Sequence, residues 1–313
     1  MRWSVILLAS LLVLCTSLPQ EELSREEYCS KVWRYDHECA LDYLLNDTEV
    51  QKVARVAEEL RGEDCKDTAW KILEWEDENL EYDFEKANLP PPQIVVKGKD
   101  VEVYDSGRYI QTPYETILRG KGICTDYAFL TLALLKYNGC EGYLVNVTFE
   151  NDEIGHVAAA TLVNGTYFIL DQHLPPLDPE GYLVKWLNEG KRIKKAEIIV
   201  DGNTTLLELS KGYSASERDA ESLESRLYSY FESMGMRGDP RLNGEVLPPN
   251  YRESYVLKFS LEMAEYYHPE FEKQYAEYIF KIFKGEIKER YRAFNLDASI
   301  SKGNFEITLY LAR

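Results

Sequence analysis

The clearest pattern of apolar and polar positions in the chain begins directly after a cysteine, Cys124. Apolar residues recur there at intervals of four and three positions, which places them on one face of a helix: Ala128, Leu132 and Leu135. Asn138-Gly139 supplies a helix stop, and Gly120 and Gly122 precede the cysteine. The pattern therefore predicts that Cys124 lies at the N-terminus of a helix that the chain enters through a glycine turn.

After Gly139 the pattern changes from helix to sheet. Three β-rich runs follow one another at 143–149, 156–163 and 166–171, and Asn164-Gly165 between the last two is a strong hairpin signal. Successive strands with short connections predict an antiparallel meander that packs against the Cys124 helix. We therefore expect an α+β fold.

Helices are predicted on the N-terminal side of this core. Thr48 and Gln51 form a capping box that opens one helical stripe running to Gly62, and Asp67 is placed to cap the next helix. Residues 80–84 alternate like a short strand. Thr112-Pro113-Tyr114-Glu115 has the residue types of a helix start, with threonine as N-cap, proline at N1 and glutamate at N3.

The pattern is weaker beyond Pro179. We expect a short strand at 197–200, a helix opened by Ser214 and Glu217, two further helical segments split at Pro269, and a final strand over 305–311. Residues 205–313 are thus predicted to be mostly helical. Three roles stay open for this region: it packs on the core, covers a cleft as a lid, or binds a partner.

The charge balance bears on the possible partners. The 313 residues include 36 Lys and Arg against 54 Asp and Glu, a formal net charge of −18. Nucleic-acid binding requires a basic surface, so the composition argues against a nucleic-acid partner.

Residues 1–20 have the pattern of a targeting segment. Arg2 precedes an apolar run from Val5 to Leu14, which is about half the roughly 20 residues that a membrane-spanning helix requires. A cleaved signal peptide is favoured over a permanent N-terminal anchor, and lipid modification of Cys15 is a further alternative. The chain is expected to be exported, extracellular or at the cell surface, with membrane association through this segment alone. Four Asn-x-Ser/Thr sites, at 46, 146, 164 and 203, are compatible with glycosylation.

If the chain is exported, its cysteines are expected to form disulfides. Without Cys15 five remain, and an odd number in an exported chain indicates one free thiol, for which Cys124 is the candidate. Four others can form two disulfides in three possible connectivities, with at least one bridge expected among the first three of them. These are Cys29, Cys39, Cys65 and Cys140. The spacing does not predict a zinc site, and no metal or cofactor is expected.

A thiol nucleophile requires a base and a group that orients the base. His156 and Asp171 lie near the two open ends of the Asn164-Gly165 hairpin, so the two side chains are expected to be near neighbours. Asp171 can then accept from one imidazole nitrogen while the other faces Cys124. His173 is an alternative base, in a proline-rich loop.

Three segments in this order resemble the motifs of the transglutaminase-like superfamily, which shares the papain-like Cys-His-Asp core, in an exported prokaryotic or archaeal form. They are GICTDYA at 122–128, GHV at 155–157 and YFILD at 167–171. The resemblance covers about residues 66–180, within an expected domain of residues 21–204 that has a helical N-terminal part. It does not extend to 205–313.

The resemblance implies thiol-dependent acyl transfer at amide or peptide carbonyls, with Cys124 as nucleophile, His156 as base and acid, and Asp171 as the orienting group. The acceptor would be water, as in a protease or amidase, or an amine, as in protein cross-linking, and the partner would be a protein or peptide substrate. Backbone N–H groups at the helix N-terminus would hold the oxyanion. A side-chain donor is not assigned, although Gln111 and Tyr127 are conceivable. The alternative is a non-catalytic surface module with a vestigial triad.

Overall fold

The structure, a computed structural model, describes residues 23–152, 154–200, 203–210, 212–262 and 264–313. The predicted targeting segment, residues 1–20, lies outside the described residues. Within the described ranges, no helix is both long enough and apolar enough to cross a membrane.

Short helices and two small pairs of strands form the N-terminal part of the domain. The helices are α1 (Arg25–Val32), α2 (His37–Leu44), α3 (Asp47–Gln51), α4 (Ala54–Glu59), α5 (Cys65–Asn79), α6 (Phe84–Ala87) and α7 (Pro113–Arg119). The strands are β1 (Glu81–Tyr82), β2 (Gln93–Lys97), β3 (Asp100–Tyr104) and β4 (Lys121–Gly122). Strand β1 pairs with β4 in parallel, and β2 with β3 antiparallel.

Some predicted helix boundaries in this part are wrong. The single helix expected from Thr48 to Gly62 is split into α3 and α4, and the cap is Asn46, whose side chain accepts from the backbone N–H groups of residues 48 and 49. Helix α5 is capped by Asp64 instead of Asp67. Several adjacent residues here have side chains able to cap, so the pattern locates the helices better than it locates their first residues. The capping box of Thr112 and Glu115 is confirmed.

The predicted central helix and meander are confirmed. Helix α8 (Cys124–Tyr137) is followed by β5 (Tyr143–Phe149), β6 (His156–Val163) and β7 (Thr166–Leu170). Asn164 and Gly165 both have positive φ, as a tight hairpin turn requires. After α9 (Pro179–Asn188), strands β8 (Ile193–Val200) and β9 (Asn203–Leu206) complete an antiparallel sheet in the order β7-β6-β5-β8-β9.

Layers of helix cover both faces of this five-stranded sheet. Every residue of α8 from Cys124 to Leu135 is buried, because helices α2 to α5 surround it on the side away from the sheet. On the opposite face, α9 contributes Tyr182 and Trp186 to a core with alternate residues of β5 and β6. The sheet thus fixes α8 and α9 relative to each other, one on each face.

The prediction that residues 205–313 are mostly helical is wrong. Two helices, α10 (Glu217–Ser233) and α11 (Glu272–Glu286), pack on a four-stranded sheet in the order β10-β12-β13-β11. The strands are β10 (Arg237–Gly238), β11 (Ser254–Leu261), β12 (Ala293–Ser301) and β13 (Asn304–Ala312). The first of the two helical segments expected around Pro269 is strand β11, in which Leu257, Phe259 and Leu261 alternate toward the core. The N-cap of α10 is Ser216 with Asp219, not Ser214 with Glu217.

The C-terminal region packs on the core, the first of the three roles left open. Trp70 of α5 contacts the rings of Phe271 and Tyr275, with centroid distances of 6.3 and 4.9 Å. Ion pairs cross the same boundary, including Lys66–Glu270 at 3.3 Å and Lys281–Glu74 at 2.6 Å. A shared apolar cluster and charged pairs at its rim hold the two parts together.

The described residues include two disulfides, Cys29–Cys39 and Cys65–Cys140. The bridge expected among the first three cysteines is therefore confirmed. Cys124 is the one free cysteine of the described residues, as predicted.

Candidate functional site

The candidate nucleophile lies where the sequence predicts it. Cys124 is the first residue of α8 and is 8% exposed. The first N–H groups of a helix have no intrahelical acceptor, so the positive end of the helix points at this residue. That environment favours a thiolate over a neutral thiol.

A buried aspartate fixes the turn that leads to Cys124. Asp126 accepts hydrogen bonds from the backbone N–H groups of Ile123 and Gln111, both at 2.8 Å, and forms an ion pair with Lys86 at 2.6 Å. Both charged side chains are buried. A Cβ on Gly122 would lie 2.7 Å from the Cβ of Asp126, so the turn requires glycine there. The sequence pattern does not predict this ion pair, because Lys86 lies far away in the chain.

His156 and Asp171 are in contact, as predicted from the hairpin. Nε2 of His156 lies 2.8 Å from Oδ1 of Asp171, and the two side chains are 12% and 2% exposed. The ladder between β6 and β7 starts at Ala159 and Leu170, so both groups lie just beyond its open end. A Cβ on Gly155 would lie 2.8 Å from the carbonyl oxygen of Val147, which explains the glycine before the histidine.

The three groups perturb one another's ionisation. Burial opposes charge on Cys124, but hydrogen bonding to His156 and the imidazolium charge lower the pKa of the thiol below its ordinary value. Burial likewise opposes charge on His156, and the adjacent Asp171 carboxylate raises the imidazole pKa well above its usual range. His156 and then Lys185 outweigh burial and hold the pKa of Asp171 far below normal. The arrangement therefore favours a thiolate facing an imidazolium.

Helix α9 supplies contacts that the sequence pattern does not predict. Nζ of Lys185 lies 3.0 Å from Oδ2 of Asp171, the carboxylate oxygen that His156 does not use. The ring of Trp186 meets the His156 ring edge-on, at 4.8 Å between centroids. Asp178-Pro179, which gives the N-cap and N1 residues of α9, was the available signal for this helix.

Tyr82 lies beside the backbone N–H of Cys124. Strand β1 pairs Tyr82 with Gly122, two residues before the cysteine, and its hydroxyl interacts with the Cys124 amide. Burial and then the negative charge of Cys124 raise the pKa of Tyr82 to about 12, so its phenol stays protonated at neutral pH. The side-chain amide of Gln111, by contrast, donates to Asp126 and to the Lys121 carbonyl oxygen. Tyr82 is thus better placed than Gln111 to donate to a reacting oxygen.

A cleft gives access to Cys124. The cavity has a volume of about 430 Å³. One wall is formed by Arg34, Tyr35, His37, Pro91, Pro92, Arg108 and Ile110, and the other by Asn146, Thr148, Ile154, Gly155 and Val157. None of the described residues that line it belongs to 205–313.

The alternative base is not in this arrangement. His173 is two-thirds exposed and forms an ion pair with Asp77 of α5. It does not line the cleft around Cys124. The structure thus brings Cys124, His156 and Asp171 together and leaves His173 outside.

Relatives of this chain are found among archaeal proteins. A UPF0252 protein of Archaeoglobus fulgidus is 74% identical over 100% of both chains. The chain belongs to the UPF0252 family. A UPF0252 protein of Pyrococcus horikoshii is 32% identical, over 87% of each chain.

The sequence profile of the transglutaminase-like domain matches residues 51–199 of this UPF0252 chain. The resemblance to the transglutaminase-like superfamily, deduced from 122–128, 155–157 and 167–171, is therefore confirmed. Among solved structures, Legionella pneumophila LapG aligns with a TM-score of 0.33 and 15% identity, over 68% of this chain and 98% of LapG.

Proposed function

We propose that this chain is a thiol enzyme that transfers the acyl group of a protein or peptide amide through a covalent thioester on Cys124. His156 serves as base and acid, and Asp171 orients it. The observation that carries the proposal is the buried thiol at a helix N-terminus, interacting with an imidazole whose Nε2 is 2.8 Å from a carboxylate oxygen. A structural cysteine requires no such partner. For the same reason we favour an enzyme over a non-catalytic surface module.

Acylation begins with attack of the Cys124 thiolate on the amide carbonyl carbon. A C–S bond forms, and the carbonyl oxygen becomes an oxyanion. The imidazolium of His156 then gives its proton to the leaving nitrogen as the C–N bond breaks. An amine departs and a thioester remains, with His156 now neutral.

Deacylation uses the same histidine as a base. His156 takes a proton from water or from an acceptor amine, which attacks the thioester carbon. Collapse of the tetrahedral intermediate breaks the C–S bond and restores the thiolate and the imidazolium. Water as the acceptor yields a carboxylic acid, and an amine yields a new amide; the chemistry of the triad permits both.

The lowered pKa of Asp171 keeps its carboxylate charged throughout the cycle. Lys185 and His156 occupy its two oxygens, so the carboxylate has a fixed orientation. Trp186 packs edge-on against the imidazole ring and limits its rotation. These contacts support a histidine held in one tautomer, with its free nitrogen toward Cys124.

The proposed function is tested by trapping the acyl-enzyme. Defined peptides containing Gln, Asn and ordinary peptide bonds are incubated with the protein, with and without a fluorescent primary amine. Mass spectrometry follows adduct mass, cleavage and amine incorporation. We expect a thioester on Cys124 that hydroxylamine removes, and its absence in Cys124→Ala. Turnover that persists in Cys124→Ala, or no adduct with any peptide class, would contradict the proposal.

Replacement of Tyr82 by Phe is expected to lower kcat/KM for amide turnover by about 10-fold, with KM little changed, because the hydroxyl would donate to the oxyanion and not to the bound substrate. Alkylation of Cys124 by iodoacetamide forms no oxyanion, so its rate should be unaffected. Tyr104→Phe, which alters an exposed tyrosine bonded to Glu102, is the control. Equal losses in both assays would show that Tyr82 acts on the thiol, not on the oxyanion.

We also propose that the protein acts outside the cell. The targeting pattern of residues 1–20 supports this location. Fractionation of cells, followed by determination of the N-terminal residue of the mature protein, tests it. A mature chain found in the cytosol and beginning at Met1 would contradict export.

A further inference from the structure

The charge of the cleft differs from the charge of the chain. The chain as a whole has 54 acidic against 36 basic residues, yet the described residues that line the cavity beside Cys124 include Arg34 and Arg108 and no Asp or Glu. The remaining side chains of the lining are apolar or uncharged and polar, apart from His37. Burial lowers the pKa of His37. A local excess of positive charge in an acidic protein requires an explanation.

The two arginines are not equivalent. The guanidinium of Arg34 forms an ion pair with Glu115 at 2.9 Å and stacks on the rings of Trp33 and Tyr109. Its charge is therefore neutralised, and its position is explained by packing within the fold. Arg34 contributes to the wall of the cleft, but its charge is already paired with Glu115 and is not available to a ligand.

Arg108 has no such partner. One terminal nitrogen of its guanidinium donates to the carbonyl oxygen of Leu89 at 3.3 Å, and no carboxylate of the described residues lies within ion-pair distance. Asp105, in the same loop, accepts instead from the N–H of Gly107 at 2.7 Å. A guanidinium has five N–H donors, so most of those of Arg108 remain for a ligand.

Arg108 is also close to the chemistry. It lines the same cavity as Cys124, and its charge acts on Tyr82, whose hydroxyl lies beside the Cys124 amide. The loop before Arg108 is supported by Ser106, which bonds to the carbonyl oxygen of Pro90 in the proline-rich segment that forms the same wall. One nitrogen of the Arg108 guanidinium is thus fixed by the Leu89 carbonyl oxygen, and the hydrogen bond of Ser106 fixes the loop that places Arg108 beside the cleft.

We propose that Arg108 forms a subsite for a carboxylate, so that the preferred acyl donor is a peptide with an acidic group close to the reacting amide. This inference rests on the proposed function, since it names the substrate class of the same site. The carboxylate belongs to an Asp or Glu side chain or to the C-terminus of the peptide, which share the chemistry that a guanidinium binds in a forked geometry. The apolar and proline-containing lining accommodates the rest of the peptide.

The test uses affinity labels that react with Cys124 without turnover. Bromoacetyl-Gly-Glu-amide, bromoacetyl-Gly-Gln-amide and bromoacetyl-Gly-Gln with a free carboxylate are each offered to the full-length protein. The Cys124 thiolate displaces bromide, so that a C–S bond forms as the C–Br bond breaks, and mass spectrometry measures the rate. In the wild type we expect one of the two acidic labels to react about 5-fold faster than the neutral label. Which of them is faster identifies the source of the carboxylate.

Variants assign the preference to one residue. In Arg108→Gln the acidic labels should lose their advantage, whereas Arg108→Lys should keep part of it. Arg55→Gln removes one positive charge from an exposed side chain on α4 and should keep all of it. Thermal unfolding of each variant verifies that it is folded. Equal rates for all labels in the wild type, or the same preference in Arg108→Gln as in Arg55→Gln, would overturn the proposal.

The experiment distinguishes failure of the subsite proposal from failure of the proposed enzymatic function. If Cys124 is not an activated nucleophile, every label, including iodoacetamide, reacts slowly below pH 8. The ratio of acidic to neutral labels is still measurable at pH 9, where an ordinary thiol ionises. A preference that depends on Arg108 at pH 9 supports the subsite even then, and its absence overturns the subsite alone.

Discussion

Replacing His156 by Ala is expected to slow the alkylation of Cys124 by iodoacetamide at pH 6 by about 100-fold, because the buried thiol loses the cation that stabilises its thiolate. In the wild type the pKa of Cys124 is lowered by His156 against the effect of burial. Without the imidazole, burial remains and the pKa should exceed the ordinary value of about 8.5. Quantitative mass spectrometry of the peptide that contains Cys124 gives the rate.

The pH profile of alkylation distinguishes a change in the pKa of the Cys124 thiol from a loss of access of iodoacetamide to that thiol. In the wild type the thiolate persists through neutral pH, and the rate falls as the pH drops through the lowered pKa of the thiol. In His156→Ala the rate should be small at neutral pH and rise only through an alkaline pKa. At pH 10 both proteins have a thiolate, so the two rates should approach each other.

His173→Ala is a suitable control for this experiment. It removes a histidine that pairs with Asp77 and does not line the cleft. Its profile should match that of the wild type. Slow labelling of Cys124 that is the same in the wild type and in His156→Ala would refute the ion-paired nucleophile and favour a non-catalytic surface module.

The part of the site that can be predicted from the sequence is encoded by local signals. A glycine turn, a helical stripe and a hairpin place Cys124, His156 and Asp171, since each signal acts within a short segment of the chain, at most the 15 residues that separate His156 from Asp171. The contact between His156 and Asp171 follows from one hairpin register. The neighbouring groups require tertiary structure: Tyr82 reaches the cysteine through the pairing of β1 with β4, and Lys185 reaches Asp171 only after α9 has packed on the sheet.

The C-terminal region shows the opposite case. Residues 254–261 alternate with period two, but their tyrosine and leucine content is also compatible with a helix, and only pairing with β13 decides. The disulfides also differ in how far they can be predicted. The short spacing favours the Cys29–Cys39 bridge, whereas Cys65 pairs with a cysteine 75 residues away. Pairings that are remote in the sequence are fixed by how α5 and α8 pack and not by any local motif.

The Cys65–Cys140 disulfide is expected to contribute more stability than Cys29–Cys39. In the chain-entropy account a bridge restricts the unfolded chain more when it closes a longer loop. The sequence separations are 75 and 10 residues. The double variant Cys65→Ala/Cys140→Ala should therefore lose about 4 kcal/mol of unfolding free energy, and Cys29→Ala/Cys39→Ala about 3 kcal/mol. Guanidinium unfolding at pH 7, monitored by tryptophan fluorescence, measures both.

The same pair of variants tests whether the site depends on the stability of the whole domain. Cys140 follows the C-terminal end of α8, about 20 Å along the helix from Cys124. Loss of the Cys65–Cys140 bridge should therefore lower the unfolding midpoint and leave Cys124 alkylation unchanged under conditions where the protein is folded. If alkylation instead slows in step with stability, the geometry of the Cys124 turn depends on the tether of α8 to α5. The buried Lys86–Asp126 pair would then be insufficient to hold that turn.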